Sequence, residues 1–480
     1  MPPNTKKPNV LFILADDMGA WAMACAGNSE VRTPNLDRIA ARGMRMENAF
    51  CVSPVCSPAR ASLLTGMIPS QHGVHDWICR GNSPSESSDG AIIDYLDSRE
   101  TYTEILARNG YECALSGKWH LGNAVELHSG HHYWRVHARG GGPYYNAPMI
   151  REGAEIHEPA YVTNVITEHA LEFLAVRDTQ KPFYLGVHYT APHSPWEREE
   201  HPPEFFDPYF NDCAFDSVPD LPMHPWQINT ATFGSTPEKR RELLSGYYAA
   251  ITAMDSDVGR ILDRLEQQQL LENTLIVFTS DNGMNMGHHG IYGKGNGTYP
   301  QNMYDSSVKV PFLVAHGDRI GQGRAQAALF SHYDFMPTLL DYLGLESDTP
   351  ADLPGRSRLN LWSGGTEVQD APLFVFDEYG AVQMIRTSSW KYVHRYQKGP
   401  NELYDLCQDP DETSNLLEPA ASHPMAEELR VQMQAWFENY ADEALDGRKL
   451  KVYGRGQRED LRLSADDWFK SDYVYLSKGS

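Results

Sequence analysis

The chain lacks any apolar run approaching the ~18 residues of a membrane span. Its first apolar run, Val10 to Ala15, is too short for a secretory signal, and Met1 to Pro8 before it is polar and basic. A cytoplasmic protein is therefore expected, or a periplasmic or secreted one whose signal has been removed. No membrane partner is expected. Cysteine is scarce: seven residues, an odd number with no metal-type spacing. Cys51 and Cys56 form a C-x4-C pair, but no second Cys/His pair at finger spacing follows, which argues against zinc. Positive charge is also short, with 41 Lys and Arg against 64 Asp and Glu, a net charge of −23. That balance argues against a nucleic-acid partner. It also means that any anion site must be locally basic. Internal repeats and low-complexity segments are absent.

The chain does contain apolar runs that end in polar pairs. Asn9 to Ala15 ends at Asp16-Asp17, and Thr274 to Thr279 ends at Ser280-Asp281-Asn282-Gly283. Such runs fit strands buried on both faces of a sheet covered by helices. Phe183 to Tyr189 and Val310 to Ala315 read as further strands. Leu36 to Arg42, Thr101 to Asn109 and Glu238 to Gln269 read as helices. Ser62 to Met67 also reads as helical, which would put Cys56 just before a helix N-terminus. The alternation predicts an α/β fold with a large mixed, mostly parallel sheet sandwiched by helices. Ligands of such sheets bind beyond the carboxyl ends of the strands. After about residue 370 the pattern changes to short strands at Leu373 to Phe376, Ala381 to Arg386 and Trp390 to Arg395. A helix over Met425 to Tyr440 follows. We expect a catalytic unit over 1–370 and a smaller α+β unit over 371–480, with the tail after Asp446 wrapping the small unit or mediating contacts. The stretch from His128 to Pro148, rich in Gly, His and aromatics, reads as a loop.

One segment stands apart: Cys56-Ser57-Pro58-Ala59-Arg60-Ala61-Ser62-Leu63-Leu64-Thr65-Gly66. It resembles the signature of the type I, formylglycine-dependent sulfatases of the alkaline phosphatase superfamily. Other segments resemble that family in order: Thr33-Pro34-Asn35-Leu36-Asp37, Gly117-Lys118-Trp119-His120, Ala191-Pro192-His193, Lys294 in its Gly-Lys turn, Lys309-Val310-Pro311, and Glu402-Leu403-Tyr404-Asp405-Leu406 with Asp409-Pro410. The resemblance implies that a maturase converts Cys56 to formylglycine, whose hydrate is the nucleophile. It implies one Ca2+ held by Asp16, Asp17, Asp281, Asn282 and residue 56. Lys118 and Lys294 would bind sulfate oxygens, Arg60 would hold residue 56 in place, His120 would act as a base, and His193 would protonate the leaving oxygen. The loop Gly295 to Gln301 looks longer than the family's usual one.

The implied function is hydrolysis of small-molecule or glycan sulfate monoesters. A polar and aromatic wall from His131 to Asn146, with His75 and Trp77, suggests an exo-acting carbohydrate sulfatase, with an amino-sugar 6-sulfate as first choice. Two other readings stand beside it. One is a phosphonate or phosphate monoester hydrolase with the same residues. The other is a non-catalytic sugar-binding relative with an unmodified Cys56. Oligomeric state is not legible.

Overall fold

The computed structural model describes residues 6–87, 89–228, 233–365, 371–377, 381–396, 399–418, 422–450, 452 and 456–462. Its centre is an 11-stranded mixed sheet. Five strands at the middle are parallel, in the order Thr274–Ser280, Asn9–Ala15, Phe183–His188, Glu112–Lys118 and His131–His137. Asn9–Ala15 lies at their heart, paired on both sides along its length. Its side chains alternate between two cores. Val10, Phe12 and Leu14 enter one, and Leu11, Ile13 and Ala15 enter the other. Each fully buried aliphatic side chain there contributes about 1.5–3 kcal/mol. This is why the run is apolar throughout rather than alternating.

The helix Pro237–Gln267 covers one face with Leu243, Leu244, Tyr247, Ile251 and Met254. Phe335, Met336, Leu339 and Leu340 of the helix Phe335–Tyr342 serve the other core. No helix among the described residues is long and apolar enough to cross a membrane.

Several expectations need correction. The strand read over Val310 to Ala315 is two pieces, Lys309–Val310 and Phe312–Ala315, which run antiparallel to their neighbours. Pro311 separates them, since a proline has no N–H to give the ladder. The stretch from His128 to Pro148 is not all loop. His131–His137 within it is a strand, with Trp134 packed on Trp119 at 5.2 Å. The signature helix begins at Cys56 itself and runs to Thr65. Pro58, in the third position, suits a first turn because its missing N–H has no intrahelical partner there. Gly66, at φ 71°, ends the helix.

A second, four-stranded antiparallel sheet lies C-terminally, in the order Leu373–Asp377, Val382–Arg386, Trp390–Arg395 and Glu402–Asp405. The helix Pro424–Tyr440 packs Ala426, Leu429, Met433 and Phe437 on Phe374, Ile385, Tyr392 and Leu403. The expected division at residue 370 falls beside 366–370, which lie outside the described residues. The tail does not simply wrap this sheet. Gly447 N donates to Ser70 Oγ at 3.2 Å, and Gln457 N donates to Trp77 O at 2.7 Å, so the described tail folds back along residues 70–79.

Candidate active site

Three strand ends and one helix start converge. The ladder continues one residue past the strands: Asp281 N donates to Ala15 O at 3.2 Å, and Asp16 N donates to Ala191 O at 3.0 Å. The carboxylates of Asp16 and Asp281 are thereby fixed at the carboxyl edge of the sheet. The chain then turns through Asp17, at φ 65°. A non-glycine residue in the left-handed region is uncommon and concentrates at functional sites. Asp17 N donates to Asp281 Oδ1 at 3.1 Å, and Tyr247 Oη donates to Asp17 O at 3.0 Å.

Against these acids stand three cations, all buried. Lys118 Nζ lies 2.6 Å from Asp16 Oδ2. Lys294 Nζ lies 2.6 Å from Asp17 Oδ1 and donates to Cys56 Sγ at 2.7 Å. Arg60 Nε donates to Asp281 Oδ2 at 2.9 Å, and its Nη1 donates to Lys118 O at 3.1 Å. Lys118 reaches its place because Gly117, at φ 108°, precedes it. A Cβ on Gly117 would meet His188 O at 1.9 Å.

Cys56 is buried, with Sγ 3.5 Å from Asp16 Oδ1 and 3.9 Å from Asp17 Oδ1. Burial pushes its thiol up to about 12, against the pull of Lys118 and Lys294. As a plain cysteine it is a neutral thiol at pH 7 and a poor nucleophile. Burial also works against ionising Asp281, yet Arg60 and Lys118 hold it well below the usual carboxylate range. For Asp17, Lys294 and His193 likewise outweigh burial.

Two histidines complete the cluster. His193 Nε2 stands 3.7 Å from Asp17 Oδ2, and its side chain is 25% exposed, which makes it the member nearest solvent. His120, at φ 59°, sets Nε2 at 2.8 Å from Ile78 O. A carbonyl only accepts, so Nε2 carries the proton and Nδ1 the lone pair. Nδ1 is buried without a partner. Burial, then Lys118, pushes this ring well below its ordinary value.

Asp16, Asp17 and Cys56 form the one group of potential metal ligands among the described residues whose donor atoms lie within 4.8 Å of one another. Asn282 adds Oδ1, buried and unpartnered, while its Nδ2 donates to Asp17 Oδ1 at 2.9 Å. An orphaned buried oxygen beside three carboxylates is a donor set suited to a hard divalent cation.

The sequence missed one contributor and misjudged two. Gly140 packs bare backbone on His120: a Cβ there would meet Nε2 at 2.0 Å. The Gly140-Gly141-Gly142 run was the only signal for it. His75 and Trp77 do not form an open pocket wall. His75 is fully buried, and its N–H donates to Gln457 Oε1 at 2.8 Å. Trp77 packs with Leu450, Val452 and Leu461 of the tail. The loop Gly295 to Gln301 nevertheless leaves Lys294 in the cluster. Asn302 Nδ2 ties it down by donating to Lys294 O at 3.1 Å.

A family model described as Sulfatase matches residues 8–345, and one described as N-sulphoglucosamine sulphohydrolase, C-terminal, matches residues 287–439. The chain is 28% identical to an N-acetylglucosamine-6-O-sulfatase of Bacteroides thetaiotaomicron, covering 95% of this chain and 90% of that one. It is 29% identical to a choline-sulfatase of Rhizobium meliloti, covering 86% and 83%. Among solved structures, one in complex with its substrate D-glucosamine-2-N,6-O-disulfate superposes with a TM-score of 0.78 at 26% identity, covering 92% of this chain and 100% of that one. The phosphonate monoester hydrolase of Agrobacterium radiobacter shares the fold, with a TM-score of 0.66 at 23% identity over 90% and 96% of the chains. The match across residues 8–345, with these relatives, makes the chain a member of the sulfatase family and a sulfuric ester hydrolase.

Proposed function

We propose that this enzyme removes the 6-sulfate from an amino sugar, acting at the chain end, with residue 56 as formylglycine and one Ca2+ held by Asp16, Asp17, Asp281, Asn282 and residue 56. The carrying observation is the meeting of Cys56 Sγ with Asp16 at 3.5 Å and Lys294 at 2.7 Å, at a sheet edge where Asn282 Oδ1 is unpartnered. When present, the hydrated aldehyde supplies an oxygen nucleophile and the cation supplies positive charge for the sulfuryl oxygens. Lys118 and Lys294 bind those oxygens and spread the charge that develops in the transition state. Arg60 keeps Asp281 and the Lys118 carbonyl in register. His193, at the solvent side, gives its proton to the leaving oxygen. His120, with its bare Nδ1, would take up a proton from a hydroxyl at residue 56 once that group is in place. An amino-sugar substrate is favoured by the N-acetylglucosamine-6-O-sulfatase relative, which aligns with 95% of this chain.

Mass spectrometry of the residue-56 peptide, beside rates on a panel of sulfated monosaccharides, an aryl sulfate and an aryl phosphonate, tests the proposal. We expect an aldehyde mass and the fastest turnover on amino-sugar 6-sulfates. Cys56→Ala should keep its fold and lose turnover. An unchanged thiol in active, natively matured enzyme overturns the nucleophile. Turnover confined to aryl or choline sulfate removes the sugar, and faster phosphonate cleavage assigns the site to the other anion.

A further inference from the structure

Gln457 lies roughly 400 residues beyond Cys56 and is completely buried. Its Oε1 accepts from the N–H groups of His75 at 2.8 Å and Asp76 at 3.4 Å. Its Nε2 donates to Gly73 O at 2.9 Å and to Glu459 O at 3.1 Å. Its backbone continues the grip. Gln457 N donates to Trp77 O at 2.7 Å, and Gln457 O accepts from Cys79 N at 3.1 Å. One step earlier, Gly456 N donates to Asp76 Oδ2 at 3.0 Å. A Cβ on Gly456 would meet Cys79 Sγ at 2.5 Å. The tail thus binds residues 73–79 as a short parallel strand would, with Ile78 and Gln457 as bridge partners.

Ile78 faces the other way. Its N–H donates to Ser57 Oγ at 3.1 Å, next to Cys56, and its carbonyl receives the Nε2 proton of His120 at 2.8 Å. That carbonyl decides which ring nitrogen of His120 is bare. No other hydrogen bond fixes the ring among the described residues, because Nδ1 has none.

We propose that Gln457 is a positioning residue for catalysis, fixing the tautomer and orientation of His120 through the carbonyl of Ile78. The proposal rests on the reading of His120 as the base. The side-chain amide of Gln457 is suited to the task because one group both accepts from and donates to the segment it holds. Outer partners that orient a metal-ligating histidine change affinity or activity by about 10–100-fold when removed, and a loss of the same order is expected for a base held in the same way.

The test is a double-mutant cycle on an aryl sulfate, with Gln457→Ala, His120→Ala and both together. Gln457→Ala should lower kcat about 10–100-fold with KM little changed. On the His120→Ala background it should add almost nothing, since coupled residues are non-additive. Additive losses overturn the proposal. A readout independent of turnover is the 15N spectrum of histidine-labelled protein, with the His120 signal assigned by its absence in His120→Ala. The intact enzyme should show a single Nε2–H tautomer, and Gln457→Ala a mixture. Gln457→Met keeps the buried volume but none of the side-chain hydrogen bonds and should lower kcat and mix the tautomers as the alanine variant does; it serves if the alanine variant does not fold. A lowered melting temperature with kcat and the His120 signal unmoved means a structural role only and overturns the proposal. If His120→Ala alone keeps full kcat, the reading of His120 as base fails, and the nitrogen spectrum still decides whether Gln457 sets its tautomer.

Discussion

Asn282 is a small residue with a large accounting problem. Its Nδ2 is engaged by Asp17 and Gly283, while Oδ1 is buried and unpartnered. The proposed cation would answer it. Thermal unfolding followed against added Ca2+ should show a rising midpoint in the intact enzyme after treatment with a chelator, and a much weaker rise in Asn282→Ala. Equal responses would remove Asn282 from the ligand set. Gly140 poses the opposite problem, since it tolerates no atom. Gly140→Ala brings a methyl to 2.0 Å from His120 Nε2, which displaces the ring or the loop. We expect at least a tenfold loss of kcat, about 1.4 kcal/mol of transition-state binding, with the circular dichroism spectrum unchanged; unaltered kcat would show that the loop yields instead. These two residues mark what sequence can tell. Asp16, Asp17, Asp281 and Asn282 were legible because they end apolar runs, and an apolar run says where its end must lie. Gly140 and Gln457 were not, because their importance is a contact across the fold with no local pattern to announce it. His75 and Trp77 were misjudged for the same reason: covering by a tail some 380 residues away leaves no trace in the surrounding composition.

At the scale of elements, the helix Cys56–Thr65 is the part most tightly specified. All ten of its residues are buried, and its hydrophobic pattern is therefore not amphipathic. That is why its start was read about six residues late: the first turn, Cys56 to Arg60, carries polar groups that face the site rather than water. Arg60 lies one turn along and reaches Asp281 at 2.9 Å. The C-cap Gly66, at φ 71° and with Leu353 Cδ1 2.9 Å from where a Cβ would sit, closes the helix. Gly66→Ala should cost at least about 1 kcal/mol through backbone strain, lowering the melting temperature while leaving kcat per folded molecule intact. A loss of kcat in proportion to the melting shift would instead tie the cap to catalysis. The parallel centre of the sheet was legible from its apolar strands. The antiparallel edge was not, since Phe312–Ala315 looks the same in either direction.

Over the whole molecule, histidine burial sets the response to acid. Burial holds His75, His131, His188 and His332 down at about 3, against 6.5 for a free ring. In the unfolded chain these rings take protons below about 6.5; in the fold they do not. Stability from this source is complete above 6.5 and falls as pH drops toward 3, by up to about 1.4 kcal/mol per pH unit for each ring. The melting temperature should therefore decline from pH 6.5 to 4.5, with Asp255, pushed up to about 6 by burial, and Glu412, pushed up to about 7 by burial, opposing part of the fall because they take up protons more readily in the fold than in the open chain. A flat profile across that range would show the rings to be more solvated than their packing indicates. The burial of the helix Cys56–Thr65 also has a consequence in time. If Cys56 is converted as proposed, an enzyme that reads the stretch from Cys56 to Arg60 would have to grip it while it is still an open chain, because both residues are enclosed in the fold. Gln457, which locks the segment beside them, is made roughly 400 residues later. At about 5–20 residues per second that leaves roughly 20–80 s, so on the proposed maturation the speed of synthesis would set how long the cysteine can be reached.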